Sequence, residues 1–344
     1  MVTKAQNKRE TAIIFILCIG LVILIVASVG VGRYSIELSQ IPEIFRQWLI
    51  GNIEEENKKA ITVLFVIRIP RILLALLTGA GLAASGAAYQ GLFQNPMVSP
   101  DILGVSSGAS VGAALALLLG ASSGMVHITA FVFGIMAVGL VMMISHVVTG
   151  GNGRILVMVL AGTVISSVFS AFTSLIKYVA DTDEKLPAIT FWLMGSFAKS
   201  GSYANVKIMI IVSIIGLFPL LALRWNINAL SFGEEEAASL GVNVKRTRNI
   251  IIFSSTLLTA SSICICGMVG WVGLIMPHIS RLLVGPNYGK MLPVTILSGA
   301  FFMLLVDNVS RVIIPGELPI GILTSLIGAP LFIYLLFRGR KEWI

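Results

Sequence analysis

Four groups of residues in this 344-residue chain have types and spacings that could do chemistry. In RIPR, Arg68 and Arg71 stand three apart and share a helix face, with Pro70 between them suited to a first helical turn. Two guanidiniums placed there either snorkel along a membrane surface or present an outward basic patch to an acidic partner. The stretch SFGEEEAASLGVNVKR (Ser231 to Arg246) sets Glu234, Glu235 and Glu236 where carboxylates favour a helix N-terminus, and Gly241 where a helix stops. It reads as an amphipathic linker or as a docking element. In GMVGWVGLIMPHISRL (Gly267 to Leu282) the glycines allow a close helix crossing, and His278 after Pro277 is first of all a structural histidine. Asp307 and Arg311 are four apart, the spacing of an intrahelical ion pair.

No metal centre or disulfide framework is expected. The histidines (His127, His146, His278) and cysteines (Cys18, Cys264, Cys266) are scattered, and the cysteines lie in apolar runs without ligand spacing. The chain has no glycine-rich phosphate loop ending in Lys and Ser or Thr, so it is expected neither to bind ATP itself nor to be an enzyme, and no cofactor is assigned to it. Its net charge of +8 suggests no nucleic-acid partner, because the basic residues fall singly between apolar stretches.

The elements that must position these residues lie in a bilayer. Apolar residues make up 56% of the chain and charged residues 12%, with mean hydropathy +0.95, too little charge to cover a water-soluble globule. Uncharged runs such as Ile72 to Pro100, Ile102 to Gly153 and Asn249 to Ser280 are long enough to cross a membrane, some more than once. We expect an all-α protein, a single transmembrane domain over residues 1–344 with ten crossings. The first six are near Thr11–Gly32, Ile61–Tyr89, Ile102–Leu119, Thr129–Val148, Ile155–Tyr178 and Val206–Leu223. Crossings seven and eight share Asn249–Ser280 and end near Val284; nine and ten are Met291–Arg311 and Leu318–Phe337. QNPMVSPD (Gln94 to Asp101) and GGNGR (Gly150 to Arg154) break helices through proline and glycine. Ile189 to Phe197 is too short to span. A polar insert at about 225–248, with two short helices, separates two halves. Basic flanks at both termini and at Lys245 to Arg248 place both termini in the cytoplasm.

These pieces in this order resemble the FecCD family, the permease subunits of iron-siderophore, haem and cobalamin ABC importers, also called type II importers. The likeness covers nearly the whole chain. It rests on RIPR and the small-residue run after it, QNPMVSPDILGVSSGAS, FWLMGSF, GEEEAASLGV, GMVGWVGLIMPHISR, DNVSR and ELPIGILTSLIGAPLFIYLL. The resemblance implies a ten-helix permease of a bacterial plasma membrane. Arg68, Arg71 and Arg311 match arginines that dock an extracytoplasmic substrate-binding protein. The loop matching Gly233 to Val244, with Glu234, Glu235, Glu236, Ala237, Leu240 and Gly241, forms coupling helices seated on a dimer of ATPase subunits, which bind the ATP. Asn95, Met97, Asn152 and Gly153 match a cytoplasmic gate, although Gly153 replaces a small polar residue of the cobalamin permease. A second permease subunit, identical or related, would complete the path for a ferric siderophore or similar chelate. Haem or cobalamin is the alternative cargo. A stand-alone secondary transporter would need ionisable groups at mid-membrane, which are few here; a receptor or scaffold would need no coupling loop.

Overall fold

Residues with long uncharged sequences must satisfy their backbone polar groups internally once in lipid, and helices do so within one segment. The computed structural model describes residues 4–32, 34, 36–37, 39–51, 54–150, 155–198, 200–314 and 316–339. Among these there is no strand. Seven helical segments are long and apolar enough to cross a membrane, and three shorter apolar helices accompany them.

The first crossing is α1 (Lys4–Gly30), followed by an amphipathic surface helix, α2 (Ile41–Ile50). Trp48 of α2 stacks on Phe65 with ring centroids 4.2 Å apart, holding α2 against the start of the second crossing. That crossing is continuous over Lys58–Leu92. It consists of α3 (Lys58–Ile61), a π-helical turn (Thr62–Arg68) and α4 (Ile69–Leu92). Pro70 has no N–H for the carbonyl four residues back, and the wide π turn falls where that ladder is interrupted.

The next elements are α5 (Val105–Leu118), α6 (Ser123–Thr149), α7 (Ile155–Val179) and α8 (Lys185–Met194). After them come α9 (Tyr203–Ala222), α10 (Arg224–Leu230), α11 (Glu234–Ser239) and α12 (Val244–Cys266). The last three are α13 (Val272–Val284), α14 (Tyr288–Val312) and α15 (Ile320–Gly339). Several expected boundaries move. α1 begins at Lys4 and α6 at Ser123, ahead of the expected Thr11 and Thr129. α5 begins at Val105 rather than Ile102, because Gly104 is left-handed (φ 80°) and the Asp101 carboxylate accepts from Ser106 N at 2.6 Å. Lys245 to Arg248, expected in the polar insert, form the first turn of α12, where the Asn243 side chain accepts from Arg246 N. Part of the expected short apolar stretch joins a helix that starts earlier, α8.

α5 and α13, with 14 and 13 residues, reach only about 20 Å, less than the ~30 Å hydrocarbon core. Residues 93–104 and 267–271 carry the chain in irregular backbone beside them, packed into protein: a Cβ on Gly273 would lie 2.1 Å from Pro100. The centre of the bundle is α4, which packs on α9, α12, α13 and α14. Its run of Gly, Ala and Ser lets backbones touch, since a Cβ on Gly79 would sit 2.2 Å from the Gly299 carbonyl and one on Gly86 1.8 Å from that of Gly273. α1 leans on α14 and leaves most of its apolar surface, including Phe15 and Ile16, uncovered.

Candidate functional site

Arg68, Arg71 and Arg311 come together at one end of the bundle. Each is about 4–5% exposed, so the side chains lie beneath the surface rather than on it. Asp307, fully buried on α14, is their hub. Its Oδ1 accepts from Arg71 Nε at 2.8 Å, and its Oδ2 accepts from Arg311 Nε at 2.9 Å. Arg71 also donates Nη1 to Glu317 Oε2 at 2.9 Å, joining α4 to the residues that precede α15, while its Nη2 has no hydrogen-bond partner among the described residues. Arg311 Nη1 donates to the Ser28 carbonyl. Arg68 differs from both: it donates to the carbonyls of Val29, Gly30 and Tyr34, capping the C-terminus of α1 without a carboxylate. The intrahelical pair read from the sequence is present, and Arg71 and Glu317 extend it into a network.

At the opposite end, α10 and α11 project from the bundle. Ile227 and Leu230 bury α10, and the side chain of Asn226 bonds Thr247 of α12 while that of Asn228 accepts from Tyr288 N of α14. α11 is a single short helix between two special glycines, Gly233 at φ 133° and the left-handed Gly241 at φ 81°. Its Ala237 is fully buried, whereas Phe232 is 72% and Leu240 58% exposed on either side. Glu235 and Glu236 face solvent, and Glu234 forms an ion pair with Arg248 in the first turns of α12. α11 thus sits between two bare apolar side chains and is tied directly to a membrane-crossing helix.

Of the expected gate residues, Asn95 and Met97 are exposed in the turn that follows α4, where Asn95 Oδ1 accepts from Met97 N at 2.8 Å. Asn152 and Gly153 lie outside the described residues. Behind the turn, Gln90 accepts from Arg281 Nη2 at 3.1 Å and donates to the carbonyls of Val98 and Leu274, binding α4, the irregular 93–104 segment and α13 together. Sequence reasoning did not single out Gln90. It also missed a hydroxyl face on α7, where Thr163, Ser167, Ser170 and Ser174 recur at helical spacing and are exposed. That periodic pattern was available in the sequence.

Among the described residues no group of His, Cys, Asp and Glu could hold a metal ion. The cysteines are thiols; Cys264 and Cys266 are buried within α12. Seven helices long and apolar enough to cross a membrane, three shorter apolar helices and a solvent-side insert of short helices make this a polytopic membrane protein. The sequence matches the model of the FecCD transport family over residues 20–338, and the chain belongs to that family. It is 45% identical over 336 residues to the molybdate import system permease protein MolB of Haemophilus influenzae, covering 98% of each chain. It is 38% identical over 320 residues, 93% of this chain and 96% of the other, to a protein of Helicobacter pylori assigned as an iron chelatin transport system permease. Among solved structures, an ABC transporter described as of metal-chelate type, in an inward-facing conformation, superposes with a TM-score of 0.84 at 42% identity, covering 95% of this chain and 99% of that one. Such membership implies an ATPase partner and a permease dimer.

Proposed function

We propose that this chain is the membrane subunit of an ATP-driven importer in a bacterial plasma membrane, with both termini cytoplasmic, that takes in a metal in complexed form, a ferric siderophore or similar chelate. The observation that carries the reading is α11: a short helix outside the bundle, flanked by exposed Phe232 and Leu240 and ion-paired to α12, is built to receive force from a partner. Gly233, Glu234, Glu235, Glu236, Ala237, Leu240 and Gly241 form that lever, and an ATPase dimer supplies the ATP site this chain lacks. Asn95 and Met97, with Asn152 and Gly153, serve as the gate on the same side.

At the other end, Arg68, Arg71 and Arg311 receive a substrate-binding protein. Arg71 and Arg311 share two carboxylates while Arg68 binds carbonyls, leaving one positive charge over, and among the described residues Arg71 Nη2 has no partner. Because the side chains are buried, an acidic partner acts on them by competing with Glu317, the most exposed member at 25%, rather than by meeting an open patch. Thr163, Ser167 and Ser174 of α7 donate their hydroxyls to the carbonyls four residues back, so this exposed face can meet lipid or a second permease subunit with those donors already satisfied.

Molybdate is the second reading, favoured by the 45% identity to a molybdate permease. The test is ATP-dependent uptake into proteoliposomes carrying this chain, its ATPase and its binding protein, with ferric siderophore and molybdate offered separately. Accumulation of the iron complex alone supports the first reading, and accumulation of molybdate alone replaces it with the second. Uptake that continues without the ATPase overturns the importer assignment.

A further inference from the structure

A cavity of about 390 Å³ opens at the α10 end of the bundle, where α1, α10, α13 and α14 meet, and the coupling role of α11 does not use it. Its lining is graded by depth. On α1, Glu10 lies one turn before Ile14; on α14, Lys290 lies one turn before Pro293 and Val294. Both helices therefore place a charge at the membrane boundary and apolar side chains deeper. Arg224, the first residue of α10, completes the polar mouth. Its Nη1 reaches the Gly289 carbonyl at 3.5 Å, the one that Pro293, having no N–H, leaves without its helical donor. Glu10 is nearly buried and bonds Lys290 Nζ at 2.6 Å.

Among the described residues, two cations against one carboxylate leave the lining of the mouth with one net positive charge. The N-terminus of the 25-residue α14 adds to it. Beside the mouth, Arg9 of α1 is exposed, and Trp225, next to Arg224, is 55% exposed at the level where indoles favour the membrane interface. Outward of the cavity α1 shows bare apolar side chains to the bilayer. A ligand that fits has a phosphate anion at one end and hydrocarbon at the other.

We infer that this cavity binds the phosphate of an anionic phospholipid headgroup, with Arg224 and Lys290 on the phosphate and Ile14, Pro293 and Val294 along the start of the acyl chains. Basic pockets between crossing helices are suited to such headgroups. The site ties the loosely packed α1 to α10, and through it to the coupling insert.

The test measures lipid retained by the purified full-length chain, by native mass spectrometry, from nanodiscs containing equal phosphatidylglycerol and phosphatidylcholine. The wild-type chain should retain phosphatidylglycerol preferentially. Arg224→Gln and Lys290→Gln should each lower that preference about fivefold, and Arg224→Lys should keep most of it. Glu10→Gln removes the carboxylate that competes with the phosphate for Lys290 and should raise retention, a gain that misfolding would not produce. Equal retention of both lipids by wild type, or a preference untouched by the two Gln variants, overturns the site. In a parallel arm inorganic phosphate is added at millimolar concentration without anionic lipid. If it binds at Arg224 and Lys290 while phosphatidylglycerol shows no preference, the pocket serves a free anion and the lipid assignment fails.

Discussion

The carboxylate of Asp307 does more than pair with Arg311 four residues on. It accepts from one guanidinium on each oxygen, and both donors come from side chains only 5% exposed. Removing the charge leaves Arg71 and Arg311 facing each other without their shared anion, and breaking a buried pair in this way typically costs about 3–5 kcal/mol. Glu317 is partly solvated, so its loss should cost about 1 kcal/mol or less. Thermal unfolding of the purified chain should therefore drop far more for Asp307→Asn than for Glu317→Gln. Adding Arg311→Gln to Asp307→Asn should recover part of the loss. Equal effects of the two single variants would mean that Asp307 is not the hub. The i,i+4 spacing of Asp307 and Arg311 was legible in the sequence, but their long-range partners were not. Arg71 and Asp307 are 236 positions apart, and nothing local in RIPR tells whether a guanidinium points out to solvent or in to a carboxylate.

Elements follow the same division between local and distant causes. Apolar runs marked the seven long apolar helices and the three shorter ones, with ends displaced by up to seven residues, and proline with glycine marked their breaks. Charge was a poorer guide to helix ends: Lys245 to Arg248 mark the edge of the bilayer, yet the helix begins at the Asn243 cap outside it. What the sequence pattern could not place is which glycine meets which backbone. Gly86 and Gly139 both sit in apolar helices, but a Cβ on Gly86 would fall 1.8 Å from the Gly273 carbonyl, while one on Gly139 meets nothing within 4 Å. Gly86→Ala must push α4 and α13 apart, a cost of about 1–3 kcal/mol or more for overpacking, and should lower the yield and melting temperature of the folded chain. Gly139→Ala should leave both unchanged or slightly improved, since alanine favours the helix. If Gly86→Ala behaves like Gly139→Ala, the contact between α4 and the first turn of α13 is looser than the packing indicates.

For the whole molecule, the proposed coupling role of α11 raises the question of how a movement there would reach the crossing helices. Two features divide the work: Phe232 and Leu240 are exposed and available to a partner, whereas the Glu234–Arg248 ion pair, half-exposed at Glu234 and buried at Arg248, connects α11 to α12. They should fail differently. Leu240→Asp puts a charge where an apolar contact is needed and should prevent assembly with the ATPase, so that co-purification and transport are both lost while the melting temperature of the isolated chain stays the same. Glu234→Gln leaves the docking side chains in place but weakens the link to α12. The complex should then assemble and hydrolyse ATP, while transport per ATP falls about five- to tenfold, the range of a modest coupling free energy. Glu234→Asp, which keeps the charge on a shorter arm, should be intermediate. If Glu234→Gln transports normally, force reaches α12 through the peptide chain and through the Asn226–Thr247 contact instead, and the ion pair only anchors the insert.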